Sequence, residues 1–286
     1  MKILLLGANG MLGSCLRTLL NKACPNSFVA LGKSECDISS LSECTEIIER
    51  KVVPNIVINA AAITNVDACE SNQEEAFRVN AEGPKNLAIC CAKIKARLIH
   101  FSTDYVFDWK KQNSYLETDI PNPINIYGKS KLEGERLIQK TFDNFLIIRV
   151  AGLFGRDGNN FVYKIKAKLS ENSILNIADD QTVSFTYTKD LAETVIKLLY
   201  DKTTRSILNV TNGGYCSWWE FSKEIVQLSK DTNNTIQINP IKISSLSLPA
   251  IRPLYSVLSG DLFEQVYGYK LRHWKYALAD FITDIG

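Results

Sequence analysis

The spacing of apolar positions changes along this chain. Ile3 to Leu6 is an unbroken apolar run that stops at Gly7. After Gly10 and Gly13 the residues Leu12, Leu16, Leu19 and Leu20 recur at helical intervals. A buried strand, a glycine turn and an amphipathic helix are predicted in that order. The alternation then repeats: 28–31, 56–59, 97–101 and 145–150 read as strands, with helical spacing at 41–51, at 67–93 and around Tyr127. About five strand–helix units predict an α/β fold, a Rossmann-type doubly wound parallel sheet over residues 1–150.

Past residue 150 the rhythm loosens. Gly152, Gly155, Gly158 and Asn159-Asn160 mark a loop. Helices are expected at 161–169, 189–200, 217–229, 261–266 and 273–282, short strands at 174–177 and 206–210, and irregular chain around Pro240, Pro249 and Pro253. Residues 151–286 are assigned mainly to a smaller C-terminal substrate-binding lobe, with parts of 174–210 returning to the first domain. Trp218-Trp219 is expected to pack in the core or at the lobe interface.

Composition narrows the partners. The chain has 286 residues, 45% hydrophobic and 22% charged, with a formal net charge of +2 and its basic residues scattered. Neither a nucleic-acid surface nor an anionic membrane is suggested. The run after Met1-Lys2 resembles the start of a signal peptide, but it ends at Gly7 with no cleavage-like site. Eight cysteines without a Cys-x-x-Cys pair, and only His100 and His273 to accompany them, argue against zinc, so no metal is expected. Free thiols point to a reduced, cytoplasmic setting. A monomer or a homodimer fits equally well.

Five stretches carry chemistry. Gly7, Gly10 and Gly13 lie between strand and helix, where glycines admit a pyrophosphate and helix amides point at it; Asn9, Met11 and Leu12 belong to the same turn. The second strand ends at Gly32-Lys33 with no acid before Glu35, which favours the 2′-phosphate of NADPH over NADH, and Asp37-Ile38 would flank the adenine. Ala60, Ala61 and Ala62 leave room for a flat cofactor, and Ser102 and Thr103 place hydroxyls at the sheet's carboxyl edge. Tyr127 and Lys131, four residues apart, share a helix face, so a fixed ammonium beside the phenol can fit it for proton transfer.

Gly7-x-x-Gly10-x-x-Gly13, Ala60-Ala61-Ala62, Ser102-Thr103-Asp104-Tyr105-Val106-Phe107 and Tyr127-Gly128-Lys129-Ser130-Lys131 together resemble the extended short-chain dehydrogenase/reductase superfamily. Within it the chain is most similar to the dTDP-4-dehydrorhamnose reductase family, over nearly its whole length, including Gly158-Asn159-Asn160-Phe161, Asp180-Gln181 and Arg252-Pro253. The resemblance implies NADPH-dependent reduction of a nucleotide-linked 4-keto-6-deoxy sugar. It implies Tyr127 as general acid, Lys131 lowering the pKa of Tyr127 and holding the nicotinamide ribose, and Thr103 bonding the reacting oxygen. It also implies Asn80 supporting the lysine through water, and Asp104, Val106, Asn160 and Arg252 contacting substrate. The chain departs from the family where arginine-threonine-serine-tryptophan is usual and Arg149-Val150-Ala151-Gly152 stands, and again at residues 180–186. Both departures fall on the substrate side. Two other resemblances imply different roles: a nucleotide-sugar epimerase or epimerase-reductase, or an NADP-binding regulatory subunit like that of methionine adenosyltransferase.

Overall fold

Every residue of β1 (Ile3–Leu6) is buried, because this strand is covered on both faces. The computed structural model describes residues 1–286 except 159, 170–173, 202–205, 230–235 and 286; Asn159 of the expected loop therefore lies outside the described residues. After β1 come α1 (Met11–Ala23), β2 (Phe28–Leu31), β3 (Ile56–Asn59), α2 (Gly83–Ile94), β4 (Arg97–Thr103), α3 (Ile126–Thr141), β5 (Phe145–Val150), α4 (Thr188–Leu198) and β6 (Ser206–Asn209). The six strands form one parallel sheet in the order β6-β5-β4-β3-β1-β2. The chain reverses direction across the sheet between β1 and β3, where doubly wound folds bind ligands.

The period of two along the strands sorts their side chains onto two helix layers. Ile3, Leu5, Ile58, Ile99 and Ile148 pack with Leu12, Leu16 and Leu20 of α1 and Leu191 and Val195 of α4. Leu4, Leu6, Val57, Leu98 and Ile147 pack on the other face with Leu87 and Cys91 of α2 and Ile138 of α3. Residues 188–198 and 206–209 thus build on the same sheet as the first 150.

The expected helix over 67–93 is broken. It divides into Val66–Ser71, Gln73–Phe77, a wide-turned stretch Arg78–Glu82, and α2. The Asn72 side chain caps a new start by accepting from the Glu75 amide at 3.3 Å, and Pro84 in the first turn of α2 has no amide to carry the preceding ladder onward. Likewise 41–51 is a single turn, Leu41–Cys44, followed by wide turns over Thr45–Val52. Pro240 does not lie in irregular chain: it sits in the strand Gln237–Ile241, opposite Ile177 of Ile174–Ala178. This small pair has two edges, and a proline is tolerated at an edge.

The C-terminal part has its own core. Phe154, Phe185, Phe221, Trp274 and Phe281 cluster between α5 (Trp218–Leu228) and α6 (Trp274–Ile285), with Phe185 and Phe221 stacked at 3.8 Å. Ser217 and Glu220 cap the start of α5 reciprocally. Among the described residues no helix is long and apolar enough to cross a membrane.

Candidate active site

The start of α3 is fixed from two sides. Asn125 caps it, its Oδ1 accepting from the Gly128 amide at 2.8 Å while its Nδ2 donates to the Ile251 carbonyl at 2.9 Å. Gly128 faces the Tyr105 carbonyl so closely that a Cβ would collide with it. The helix can therefore lie directly on the turn Asp104–Val106 that follows β4, and Tyr127 and Lys131 come to rest beside Thr103.

A cavity of about 410 Å³ opens there. From the sheet side it is lined by Gly10, Met11, Leu12, Ala60, Ala61, Ala62, Ser102, Thr103, Asp104, Tyr127 and Lys131, and from the C-terminal side by Gly152, Gln181, Trp218 and Ser256. A second hollow of about 210 Å³ is lined by Gly7, Asn9, Lys33, Asp37 and Ile38 and shares Gly10 and Ala60–Ala62 with the first. The two form one groove across the sheet's switch point.

Burial dominates the electrostatics. It raises the pKa of Tyr127, against the hydrogen bond with Thr103, so the phenol keeps its proton at neutral pH. Burial pushes Lys131 down to about 8, with Glu135 opposing, and Asp104 up to about 6, against hydrogen bonds from Ser256 and Thr103. Lys131 Nζ donates to the Phe101 carbonyl at 2.7 Å and lies 3.3 Å from His100 Nε2. The lysine is expected from the resemblance to lower the pKa of Tyr127; in this arrangement burial is the largest influence on the phenol, Asp104 and Cys69 add to it, and Thr103 opposes it. Thr103 Oγ1 donates to Asp104 Oδ1 at 2.9 Å.

Two residues expected to contact substrate stand elsewhere, and a third is held beside the cavity. Val106 is fully buried in the C-terminal core, not on the cavity, because the turn after β4 points it inward. Asn160 is spent on structure: its Nδ2 donates to Gly155 O at 2.6 Å, and its Oδ1 accepts from Val162 N at 3.0 Å, at the start of the helix Phe161–Leu169. Arg252 pairs with Asp67 at 2.6 Å. Its segment is sewn down at the Ala250 amide by Asp67, at Ile251 by Asn125 and at Pro253 by Gln181, so residues 250–253 run as a strap beside the cavity that Pro253 lines. Asn80, expected to support Lys131 through water, bonds both backbone groups of Ile63 with its amide and donates to Ser130 Oγ at 3.1 Å, holding the segment after β3 against α3.

Trp218 and Gly152, expected as packing and as a departure on the substrate side, both line the cavity, whereas His100 and Asn59 were not singled out for the site. Trp218 packs edge-on against Phe161 (4.6 Å) and Phe185 (5.0 Å) and also lines the cavity, so it serves both as packing and as wall. Gly152, with φ of +50°, turns its backbone to the cavity, and a side chain there would strike the Ser184 carbonyl and the Phe185 ring. His100 and Asn59 lie behind Lys131; a histidine set between Ile99 and Phe101 in a buried strand was the available signal.

The groove fits a nicotinamide dinucleotide. Gly10 starts α1 with no side-chain cap and no acid in the first turn, leaving helix amides open to an anion, and the buried Ser102 hydroxyl has no partner among the described residues. Lys33 has a side chain 74% exposed and only a loose 3.9 Å contact with Glu75, so it is available to a phosphate.

A doubly wound parallel sheet with a Tyr-x-x-x-Lys helix at its carboxyl edge defines the class, an NAD(P)-type oxidoreductase with the extended short-chain dehydrogenase/reductase fold. The RmlD substrate binding domain family matches residues 1–286, and the chain belongs to that family. It is 36% identical over 283 residues to the spore coat polysaccharide biosynthesis protein SpsK of Bacillus subtilis, covering 99% of this chain and 97% of that one. It is 36% identical over 286 residues to the dTDP-4-dehydrorhamnose reductase of Aggregatibacter actinomycetemcomitans, covering 97% of each. The solved structure of dTDP-4-dehydrorhamnose reductase from Bacillus anthracis in complex with NADP superposes with a TM-score of 0.94 at 31% identity, covering 99% of this chain and 100% of that one.

Proposed function

We propose that this chain reduces the C4 keto group of a nucleotide-linked 4-keto-6-deoxy sugar with NADPH, converting dTDP-4-dehydrorhamnose to dTDP-L-rhamnose, and that Tyr127 donates the proton. One observation carries the reading: a buried, protonated phenol, the Thr103 hydroxyl and Lys131 line one cavity, continuous with a groove that offers an uncapped helix N-terminus. NADPH, when bound, supplies the hydride. The chain's part is to hold the sugar and the proton. Burial keeps the Tyr127 proton in place until a developing alkoxide draws it off. Thr103, oriented by Asp104, bonds the reacting oxygen, and Arg252, with Asp67 as its resting partner, takes a substrate anion. Relatives that bear the dTDP-4-dehydrorhamnose reductase name, and the NADP complex of one of them, support this assignment.

The test is loss of NADPH absorbance with dTDP-4-keto-rhamnose generated in situ, run beside the same assay with NADH. Turnover supports the assignment; no turnover by protein that binds NADPH overturns the sugar. Lys33→Ala is expected to raise the KM for NADPH about tenfold, the loss of one charge-assisted phosphate contact, and to leave that for NADH unchanged. Equal effects on both cofactors would remove Lys33 from 2′-phosphate recognition.

A further inference from the structure

The C-terminal wall of the cavity is built on one small sheet. Thr182–Val183 pairs with Cys216–Ser217 on one side and with Tyr255–Ser256 on the other. Gln181, Trp218 and Pro253, which flank these strands, are thereby brought together, and the Trp218 amide donates to the Gln181 carbonyl at 3.3 Å. Gln181 is only 7% exposed, yet it lines the cavity. The polarity of its side chain is fixed: the Pro253 carbonyl can only accept, so Nε2 faces it at 2.9 Å and Oε1 is turned away. Oε1 has no partner among the described residues. An acceptor so deeply buried is matched when a ligand brings an N–H or O–H to it. Trp218 stands beside it on the same wall. Its ring meets Phe161, Phe185 and Phe221 at steep angles of 64°, 83° and 88°, and its indole N–H has no partner among the described residues. Gly152, also on this wall, adds no side chain to it.

We propose that Gln181 and Trp218 form the sugar-recognition pair of this cavity, Oε1 accepting from a ring hydroxyl of the substrate and the indole packing against the C–H face of the same ring. The inference deepens the reading of the chain as a reductase of a nucleotide-linked keto sugar, and it rests on that reading. With the C4 oxygen held by Tyr127 and Thr103 on the sheet side, the remaining hydroxyls and the 6-methyl group of a pyranose turn to the facing wall. Hydroxyls are the donors that an isolated amide oxygen needs, and an indole offers apolar area at little cost in conformational freedom. The nucleotide does not compete for this wall. Arg252, which takes the substrate anion, lies beside the cavity on the strap 250–253 and not on its lining, so the diphosphate and nucleoside run outward past the strap. Gln181 joins the two regions, since the same side chain that presents Oε1 holds the strap at Pro253.

The experiment is calorimetric titration of dTDP-L-rhamnose, and separately of dTDP, into protein saturated with NADP+, for the unsubstituted chain, Gln181→Met and Trp218→Leu. Each variant is expected to bind dTDP-L-rhamnose about tenfold more weakly, and dTDP within about twofold of the unsubstituted chain. The dTDP titration separates recognition from support. A strap loosened by loss of the Pro253 bond would weaken both ligands, because Arg252 is carried on it. Equal losses for the two ligands, or an unchanged affinity for dTDP-L-rhamnose in the folded variants, overturn the proposal. Trp218 also packs in the C-terminal core; should Trp218→Leu fail to fold, Gln181→Met carries the test together with Trp218→Phe, for which a smaller loss confined to dTDP-L-rhamnose is expected. Failure of the underlying reading looks different: an unsubstituted chain that binds dTDP-L-rhamnose no tighter than dTDP, and gives no turnover, overturns the sugar assignment before any variant is compared.

Discussion

Tyr127→Phe is expected to lower kcat by about 10² to 10⁴-fold, the range for removing a positioned proton donor, while NADPH binding by fluorescence titration stays within about twofold. The substitution is clean. The ring of Tyr127 packs edge-on against Tyr105 at 5.7 Å, and phenylalanine keeps that contact. Only the hydroxyl and its bond with Thr103 are lost, a stability change of about 1 kcal/mol. A variant that kept turnover within a few-fold of the unsubstituted chain would show that the proton comes from elsewhere. The raised pKa of Tyr127 also gives the pH dependence a sign. The proton donor is not lost on the alkaline side anywhere near neutrality, so a fall in rate between pH 7 and 9 would follow Lys131, whose midpoint lies at about 8.

Glu135→Gln is expected to lower stability by about 3–5 kcal/mol and the melting temperature by about 10 °C, the largest stability effect anticipated for a single isosteric change here. Arg149 and Glu135 are among the most deeply buried charged residues of the chain, joined through Nε at 2.9 Å and Nη2 at 2.6 Å, with the guanidinium 5.1 Å from the Phe107 ring centre. Arg149 Nη1 has no partner among the described residues, so the carboxylate is what balances the buried cation. A neutral amide of the same shape leaves that cation uncompensated. Replacing both residues with methionine is expected to recover most of the loss, because a well-packed apolar pair avoids desolvating two ions. Calorimetric unfolding of Glu135→Gln and of the double variant checks both claims. Equal losses in Glu135→Gln and the double variant would overturn the claim that an uncompensated cation causes the loss.

Both predictions concern α3, and they divide according to what local sequence can show. Tyr127 and Lys131 were legible from their spacing alone, because four residues make one helical turn wherever that helix sits. The glycine turn, the alanines after β3 and the hydroxyls at the end of β4 were legible for a similar reason: turn chemistry and strand period act over a few residues. The break of 67–93 at Asn72 and Pro84 had local signals, a capping residue and a residue without an amide, which the apolar spacing on either side obscured. The salt bridge of Arg149 could not be read, since Glu135 lies on a different element and either residue alone reads as a solvated charge. Val106 and Asn160 were placed with the substrate by motif, but the direction in which a turn presents a side chain depends on what packs against it.

The sequence by itself determined the alternating strands and helices, the glycine turn before α1 and the placing of Tyr127 and Lys131 on one helix face, because each is decided by contacts within a turn or two of chain. Only the tertiary structure decided what surrounds them. It brought Trp218 to the wall beside Gly152, tied Arg252 to Asp67 across 185 residues, and placed His100 and Asn59 behind Lys131. Those relations set burial, donor–acceptor polarity and charge, and they exist only once distant segments are packed into a medium that excludes water.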